Sequence, residues 1–368
     1  MLSKPTSMLV LVLAGAVFAF AGCDIGGDDE RGEATRSEGG SGQAHGNVLQ
    51  RVENRGKLIC GVNDGVPGFG FLTDAGVYEG FDIDYCRAIA TAVFGDPSAV
   101  EFQPLSAAQR FRALAAGDVD VLIRNTTWNA SRDGAEGARF LTTTFYDGQG
   151  MMVRAESPAA TLDDLDKATI CTLSGTTSEV NLAAEFEARN LDFEPLSFED
   201  NDSLRQAFQQ GRCEAWTSDQ SQLAGIRSKW PEAQGGPDAL RILEETMSKE
   251  PLGPVVRDGQ EDWADVVNWV VIATIQAEEL GVTSENVNEQ LESDDQEIRR
   301  LLGQTVAGEV FDPGLGLAPD FAVEVIRQVG NYGEIYDRNV GPKTGLGLER
   351  GVNALWTQGG LHYAPPYR

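Results

Sequence analysis

The sequence predicts an α/β fold of two lobes, each a mostly parallel sheet flanked by helices, joined by two hinge strands. Short apolar runs alternate with runs of helical spacing, and this alternation occurs twice along the chain, which is typical of parallel sheets with crossover helices. Two segments, 145–154 (FYDGQGMMVR) and 248–257 (SKEPLGPVVR), stand where the chain would cross between the lobes. With 368 residues the chain is long enough for two domains.

The first alternating unit begins with the apolar run KLICGV, which ends at Asn63 and Gly65 as a buried strand entering a loop would. Phe111 and Leu114 have helical spacing, and Gly117 marks the end of their helix. The predicted elements of this unit are a strand at 57–62, a helix after 78–81, a strand at 100–104, a helix at 107–116 and a strand at 119–123. We expect these elements to form the first part of lobe 1.

The second unit repeats the pattern after the first crossing, where Gly148 and Gly150 are the expected hinge glycines. Its predicted elements are a strand at 169–173, a helix at 180–188, a strand at 192–197, a helix at 203–210 and a strand at 213–217. The crossings predict lobe 1 over 48–149, lobe 2 over 150–250, and a return to lobe 1 with a C-terminal extension over 251–368. The expected ligand site is a cleft between the carboxyl ends of both sheets.

The N-terminus has the pattern of a secretion signal over residues 1–22. Lys4 precedes an apolar run at 8–20, which is too short to span a bilayer and has the flanks of a signal peptide. The stretch FAGC resembles a lipobox, so Cys23 is the predicted lipidation site, and ordinary signal cleavage nearby is the alternative. Residues 23–47, rich in Gly, Ser, Asp and Glu, predict a flexible spacer that would hold the folded part above a membrane.

Charge and residue types argue against several function classes. The net charge of −28 disfavours a nucleic-acid partner because phosphate binding requires a basic surface. The chain has two histidines, His45 in the spacer and His362 near the C-terminus, so histidine-based acid–base catalysis in the cleft is not expected. No nucleophile elbow, P-loop or metal-ligand spacing occurs in the sequence, which therefore predicts no cofactor.

Four cysteines besides Cys23 fall within the predicted lobes. They are Cys60, Cys86, Cys171 and Cys213. Four cysteines allow three pairings, and disulfides are the default in an exported protein. Pairing Cys60 with Cys86, and Cys171 with Cys213, would keep each bridge inside one lobe, where each would contribute about 3–4 kcal/mol in the chain-entropy model. A metal site is the alternative, although the spacings match no zinc pattern and no histidine lies nearby.

Polar segments follow three of the predicted strands, at the ends where the cleft is expected. They are 124–133 (RNTTWNASRD), 174–179 (SGTTSE) and 217–220 (TSDQ). Arg132 and the N–H groups of a helix start suit a carboxylate, and Asp219 suits an ammonium group, so a free amino acid would find both partners. The alternatives are a surface ion pair of Arg132 with Asp133 or Glu136, a helix N-cap for Asp219, and a capped turn for Thr176 and Thr177.

Long ordered stretches of the chain carry a family resemblance from about residue 57 to residue 368. They are CGVN (60–63), GFDIDYCRAIA (80–90), VFGDP (93–97), RNTTW (124–128), FYDGQG (145–150), GTT (175–177), GRCEAWTSDQS (211–221), SKEPLGPVVR (248–257), GNYGEIYDRNVG (330–341) and YAPPYR (363–368). Together they resemble the general L-amino-acid-binding proteins of polar amino acid ABC transporters, which have the type 2 periplasmic binding protein fold.

The resemblance implies roles for the matching residues. Arg132 would hold the α-carboxylate of the ligand, helped by the backbone N–H groups of Thr127 and Thr177, and Asp219 would hold the α-ammonium. The further implied contacts are Thr176 at the same helix start, Asn125 or the carbonyl beside it at the ammonium, Asn63 as a polar side-chain contact, and Phe69 or Phe71 as an aromatic lid.

The function implied is that of the extracytoplasmic substrate-binding component of an ABC importer, which captures L-amino acids with broad specificity between two closing lobes. The implied partners are the permease and ATPase subunits, with a lipid at Cys23 holding a monomer in the periplasm or at the cell surface. A sensor that reports amino acids to a membrane receptor is one alternative. A cyclohexadienyl dehydratase-like enzyme on the same fold, using Asp or Glu, is the other.

Overall fold

The structure is a computed structural model that describes residues 48–305 and 307–367. The predicted signal peptide at 1–22, the lipidation site Cys23 and the spacer at 23–47 lie outside the described residues. Within the two described ranges, no helix combines the length and the apolar character needed to cross a membrane.

Two five-stranded sheets and two smaller ones account for the strands of the described residues. In chain order the strands are β1 Leu58–Val62, β2 Gly65–Val66, β3 Gly70–Leu72, β4 Tyr78–Glu79, β5 Val100–Pro104, β6 Val121–Leu122, β7 Ala138–Phe140, β8 Phe145–Asp147, β9 Gln149–Arg154, β10 Ala168–Leu173, β11 Phe193–Phe198, β12 Ala215–Asp219, β13 Leu240–Ile242, β14 Glu250–Leu252 and β15 Val255–Arg257. The helices are α1 Val48–Arg55, α2 Phe81–Phe94, α3 Arg110–Ala116, α4 Ala130–Ala135, α5 Thr177–Arg189, α6 Asn201–Gln209, α7 Gln220–Ser228, α8 Glu261–Glu279, α9 Val287–Gln290, α10 Gln296–Leu301, α11 Phe321–Gln328 and α12 Tyr332–Asn339.

Lobe 1 is built on the sheet with strand order β5-β1-β6-β15-β7. Strand β1 pairs in parallel with β5 and β6, and β15 adds antiparallel pairing to β6 and β7. Leu58, Cys60 and Val62 of β1 are fully buried within the largest apolar cluster, to which α2 and α8 also contribute. A central strand covered in this way needs a continuous apolar run, which is why KLICGV predicted it correctly.

Lobe 2 is built on the sheet with strand order β11-β10-β12-β9-β13. Strand β10 pairs in parallel with β11 and β12, whereas β9 runs antiparallel to β12 and β13. One apolar cluster joins Phe208 of α6 to Trp216 and Leu223, and a second joins Phe186 of α5 to Ile170. The two-lobe α/β fold is therefore confirmed, with three parallel strands on one side of each sheet and antiparallel pairing on the other side.

Two short strands connect the lobes. Strands β8 and β14 pair antiparallel, with Asp147 opposite Glu250, and the chain continues from β8 into the lobe 2 sheet and from β14 into the lobe 1 sheet. At Gly148 a Cβ would lie 2.4 Å from Cγ2 of Thr246, so the close approach of these segments requires glycine. The crossings fall beside the predicted boundaries at 149 and 250, and the division of the chain at these boundaries stays a prediction.

Local signals explain where the elements begin and end. Strand β5 occupies the predicted residues 100–104. Helix α5 begins at Thr177, three residues before the predicted start, because the hydroxyl of Thr176 accepts a hydrogen bond from the N–H of Glu179 at 3.2 Å and caps the helix. Helix α3 begins three residues later than predicted, after a turn in which the N–H of Gln109 donates to the carbonyl of Ser106.

Both pairs of cysteines form disulfides inside one lobe. Cys60 of β1 bonds to Cys86 of α2, with their Cα atoms 6.1 Å apart. Cys171 of β10 bonds to Cys213, just before β12, with their Cα atoms 5.7 Å apart. Of the three possible pairings the structure has the one that keeps each bridge local, and the four thiols are not available to a metal.

The C-terminal extension packs on lobe 1. Tyr332 and Tyr336 of α12 are fully buried, with their rings 5.9 and 6.4 Å from the ring of Phe81. The hydroxyl of Tyr332 donates to the carbonyl of Thr144 at 3.0 Å. The side chain of Asn353 accepts from the N–H of Tyr146 at 2.7 Å and donates to its carbonyl at 2.9 Å. The extension therefore holds the lobe 1 end of hinge strand β8.

Candidate functional site

A narrow cavity with a volume of about 20 Å³ lies between the lobes. Lobe 1 contributes Arg110, Arg124, Asn125, Thr127 and Arg132, and lobe 2 contributes Leu173, Thr176, Thr177, Ser178, Ser218, Asp219 and Gln222. These residues come from α3 and from the segments that follow β6, β10 and β12, at the carboxyl ends of the parallel strands where a cleft was expected. This volume holds about one water molecule, so the lobes must move apart before a ligand of amino-acid size can enter between these residues.

Arg132 lies in the lobe 1 wall and is only 9% exposed. Its N–H donates to the side-chain oxygen of the N-cap residue Asn129 at 2.9 Å, which fixes the start of α4, and its Nη1 donates to the carbonyl of Thr127 at 3.0 Å. The alternative of a surface ion pair is excluded by this burial. Burial lowers the pKa of Arg132, and Glu250 and Asp219 partly oppose that effect.

Two further buried arginines line the same wall, and the sequence did not single them out. The Nε of Arg124 donates to the carbonyl of Leu105 at 2.6 Å. Arg110 is 2% exposed, and its Nε has no hydrogen-bond partner within the described residues. Burial is the main cause that lowers the pKa values of both arginines, and it lowers the pKa of Arg124 to about 10. The neighbouring arginines Arg132 and Arg124 lower the pKa of Arg110 further. An arginine on a short helix is ordinarily exposed. Only the packing of α3 against the cavity therefore identifies Arg110 as a residue of the site.

The start of α5 faces Arg132 from lobe 2. The hydroxyl of Thr176 accepts the capping bond and donates to the carbonyl of Leu173 at 2.7 Å, so the capped turn considered as an alternative is present. The hydroxyl of Thr177 donates to Glu250 at 2.9 Å and lies 3.4 Å from that of Thr127 in lobe 1. The free N–H groups of a helix start favour an anion, so this wall and Arg132 together make one end of the cavity suitable for a carboxylate.

Asp219 contributes a carboxyl group to the same cavity that Arg132 lines with a cation. It is the last residue of β12 and is 5% exposed. It stands at the N-cap position of α7 but its side chain makes no capping bond there, and it accepts a hydrogen bond from Nδ2 of Asn125 at 3.2 Å. Burial raises the pKa of Asp219 well above its usual range, and repulsion from Asp147 and Glu250 adds to this. A cationic ligand group would relieve both effects.

A chain of side-chain amides crosses from lobe 1 to lobe 2. The Nδ2 of Asn63 donates to Oδ1 of Asn125, whose Nδ2 donates to Oε1 of Gln222 at 3.1 Å. Gln222 in turn donates to Oδ1 of Asn201 at 2.9 Å. Asn125 has φ of 31°, uncommon outside glycine, and its N–H is held by Asp82 at 2.7 Å. Asn63 therefore stands behind Asn125 and does not line the cavity itself.

The structure does not bring the predicted aromatic lid to the cavity. Phe69 is 1% exposed, and its ring packs on Phe81 at 5.9 Å and on Phe145 at 5.1 Å in the lobe 1 core. Phe71 faces a separate groove, with its ring 5.9 Å from the Nζ of Lys229. The expectation was wrong because the hairpin of β2 and β3 folds tightly onto Asn63, where a Cβ at Gly70 would lie 2.6 Å from a carbonyl oxygen, and so directs Phe69 inwards.

The cavity therefore has a cationic end and a carboxylate within one small volume. Within residues 48–305 and 307–367, no group of three or more His, Cys, Asp or Glu side chains is arranged to hold a metal ion. His362 is buried beside Tyr146 and Tyr332 in the C-terminal extension, where burial lowers its pKa to about 3. The arrangement suits binding of a zwitterion.

A family model for bacterial extracellular solute-binding proteins, family 3, matches residues 58–287. The chain belongs to this family. The matched residues run from β1 to the start of α9 and include both sheets and the whole cavity. The family resemblance seen in the sequence motifs is thereby confirmed.

Named relatives match nearly the full chain. The general L-amino acid-binding periplasmic protein AapJ of Rhizobium johnstonii is 45% identical over 329 residues, which cover 89% of this chain and 95% of the relative. The glutamate/glutamine/aspartate/asparagine-binding protein BztA of Rhodobacter capsulatus is 46% identical, with the same coverage. A solved ABC transporter periplasmic binding protein from Brucella ovis with glutathione bound has a TM-score of 0.83 and 46% identity, and covers 88% of this chain and 100% of that one.

Proposed function

We propose that this protein captures free L-amino acids between its lobes as the extracytoplasmic binding component of an ABC importer. The observation that carries the proposal is the cavity itself, in which Arg132 and the start of α5 oppose the buried carboxylate of Asp219. A zwitterion entering this cavity leaves water only if each of its charges meets a partner, and both partners are provided. The names of the two relatives, a general L-amino acid-binding protein and a glutamate/glutamine/aspartate/asparagine-binding protein, support the same ligand class.

In this proposal five of the predicted site residues have a defined task. Arg132 binds the α-carboxylate in a bidentate manner, together with the backbone N–H groups of Thr127 and Thr177. Asp219 binds the α-ammonium, and Asn125 orients that carboxylate from lobe 1. Because the carboxylate partners come from both lobes, the ligand stabilises the form in which the lobes are in contact.

Arg110 extends the proposal to the ligand side chain. It is a buried cation with an unpaired Nε and no ion pair within the described part of the chain. A side-chain carboxylate or amide oxygen would supply the missing partner. We therefore expect the highest affinity for acidic and amide side chains, in agreement with the name of the relative from Rhodobacter capsulatus, and weaker binding of other L-amino acids.

Delivery to a permease and ATPase, and a lipid on Cys23, complete the proposal. Acylation would keep the binding domain beside its transporter while the spacer lets it reach the permease. Mass measurement of the mature N-terminus, and release of a Cys23→Ala variant from the membrane fraction, test the anchor. Loss of amino acid uptake in cells that lack the protein tests the importer, whereas a sensor would alter a response and leave uptake intact.

Thermal unfolding of the purified protein against all twenty L-amino acids tests the ligand class. A ligand that binds only the folded state stabilises it by about 2.7 kcal/mol at a concentration 100 times its Kd. We expect an increase of Tm with several L-amino acids, largest for glutamate, glutamine, aspartate and asparagine, and none with their D-forms. The absence of any shift with an amino acid would contradict the proposal.

Glutathione is a second candidate ligand because the solved relative from Brucella ovis carries it. Its γ-glutamyl end has a free α-carboxylate and α-ammonium, so Arg132 and Asp219 suit it equally well. Because the lobes leave a cavity of only about 20 Å³ between them, an amino acid requires less separation of the lobes than glutathione does. A larger Tm shift with glutathione than with any amino acid would make glutathione the preferred ligand.

A further inference from the structure

The lobes meet at a second place outside the cavity, where the turn between β2 and β3 in lobe 1 rests on α6 and α7 of lobe 2. Gly225 of α7 lies against Pro67 in this turn, and Gly65 lies against Asn201 of α6. No side chain separates the two backbones at Gly225. The two backbones therefore lie directly against each other at this contact.

The approach at Gly225 leaves no room for a side chain. An ideal Cβ would lie 2.3 Å from the carbonyl oxygen of Pro67 and 3.3 Å from its carbonyl carbon. Ordinary contact begins at 3.4 Å, so the backbones would have to separate by 1.1 Å. Both atoms it would meet are backbone atoms, which do not rotate away as a flexible side chain does.

The turn that carries Pro67 is supported from behind. At Gly68 a Cβ would lie 2.6 Å from Cδ2 of Leu346 and 3.3 Å from Cγ1 of Val340, so the C-terminal extension packs directly against the turn. The carbonyl of Gly68 also accepts the N–H of Phe81 at 2.8 Å. The turn therefore cannot retreat into lobe 1, and strain at Gly225 is relieved by separation of the lobes.

The backbone conformation at Gly225 does not itself require glycine. Gly225 lies inside α7 and is not among the residues with positive φ. Glycine in a helix interior is less stable than alanine by about 0.5–1 kcal/mol. Glycine at this position therefore makes α7 less stable than alanine would. The structural feature that requires glycine here is the contact with Pro67.

We propose that Gly225 determines lobe closure, because only a residue without a side chain lets α7 seat against Pro67 when the lobes contact each other. The proposal rests on the proposed function, in which closure on an amino acid gives affinity. Across the cavity the hydroxyls of Thr127 and Thr177 are 3.4 Å apart, and Asn125 is 3.2 Å from Asp219. Separation by 1.1 Å at Gly225 would move both pairs out of hydrogen-bond distance.

The test compares Gly225→Ala with Gly134→Ala. Gly134 is also helical, in α4, but a Cβ there meets nothing within 4 Å, so this control makes the same change without the contact. Titration calorimetry with L-glutamine and L-glutamate measures Kd, small-angle X-ray scattering measures the contraction on ligand addition, and thermal unfolding without ligand measures stability.

For Gly225→Ala we expect Kd to rise by about 100-fold, as it does when the closed form falls to one hundredth of its former population. We also expect no ligand-induced contraction, and a Tm without ligand equal to or above that of the wild type. Gly134→Ala should bind and contract like the wild type. If Gly225→Ala had the affinity and the contraction of the wild type, this proposal would be overturned while the proposed function would stand. The same holds if Gly225→Ala had a lower Tm without ligand, since a loss of folding stability would then account for the loss of binding. A wild-type protein that binds no amino acid would overturn the proposed function as well.

Discussion

Replacing Arg132 by alanine separates the ligand-binding role of this residue from its structural role. In the wild type its guanidinium is buried, and within residues 48–305 and 307–367 it has no ion pair. Its side-chain hydrogen bond is that from Nη1 to the carbonyl of Thr127, at 3.0 Å. The remaining donors of the guanidinium are thus available for a ligand carboxylate.

The two consequences of Arg132→Ala differ in size. Removing one partner of a buried, hydrogen-bonded charge pair costs about 2–5 kcal/mol of binding free energy, which corresponds to an increase of Kd by about 30-fold to several thousand-fold. Without ligand the loss of one hydrogen bond costs about 1 kcal/mol, and removal of an unpaired buried charge offsets it. We therefore expect a large loss of affinity and a Tm of the unliganded protein within about 4 °C of the wild type.

Titration calorimetry with L-glutamine measures the first effect, and thermal unfolding without ligand measures the second. Arg132→Lys keeps the charge but not the fork of donors, so its affinity should lie between those of the wild type and Arg132→Ala. Arg327→Ala is the matched control, because Arg327 pairs with Glu324 on the surface of α11 and does not line the cavity. Its Kd should equal that of the wild type.

A Kd of Arg132→Ala within threefold of the wild type would refute the assignment of Arg132 to the carboxylate. A fall in Tm of ten degrees or more would show that Arg132 is needed for folding. A loss of affinity in Arg132→Ala would then no longer support a contact between Arg132 and the ligand.

Three further outcomes are expected. Arg110→Met should raise the Tm of the unliganded protein, because a buried unpaired cation is removed, and should weaken binding of L-glutamate more than that of L-alanine in competition titrations. Burial raises the pKa values of Asp82 and Asp147 to about 6, so the folded protein binds protons more tightly than the unfolded chain. The stability that these carboxyls contribute is complete below pH of about 4 and is lost as the pH rises through about 6. The free energy of unfolding in urea, measured without ligand, should therefore be higher at pH 5 than at pH 7.5, and Asp147→Asn should reduce this difference. Replacing Cys171 and Cys213, 42 residues apart, by alanine should lower the free energy of unfolding in urea by about 4 kcal/mol, and a change below 1 kcal/mol would contradict the chain-entropy account.

Several parts of the fold and the site follow from local patterns in the sequence. A strand buried on both faces needs an uninterrupted apolar run, which is why KLICGV was recognised with its bounds nearly correct. The carboxyl ends of parallel strands meet at one edge of a sheet, so polar residues that directly follow such strands converge. For this reason Arg132, Thr177 and Asp219 could be predicted to lie together, and the structure places all three around one cavity.

Sequence patterns were less informative where residues act through distant neighbours. Thr176 stands beside Thr177, yet its hydroxyl is used for capping, and Asn63 supports Asn125 from behind instead of lining the cavity. Phe69 lies in a glycine-rich loop, where the spacing of residues does not indicate which side chain points inwards. Its inward direction follows from the packing of the hairpin on Asn63.

The sequence by itself determined the family, the two α/β units, the two crossings and the charged residues at strand ends, because each is encoded by the burial and hydrogen-bonding needs of a short stretch. Only the tertiary structure decided that Arg110 enters the cavity, which of the possible disulfides form, and that Gly225 touches Pro67. These features depend on which surfaces of separate elements meet. Between the two lobes, the hinge and the packing of whole helices determine which surfaces meet. The periodicity of a short stretch of sequence carries no information about such distant contacts.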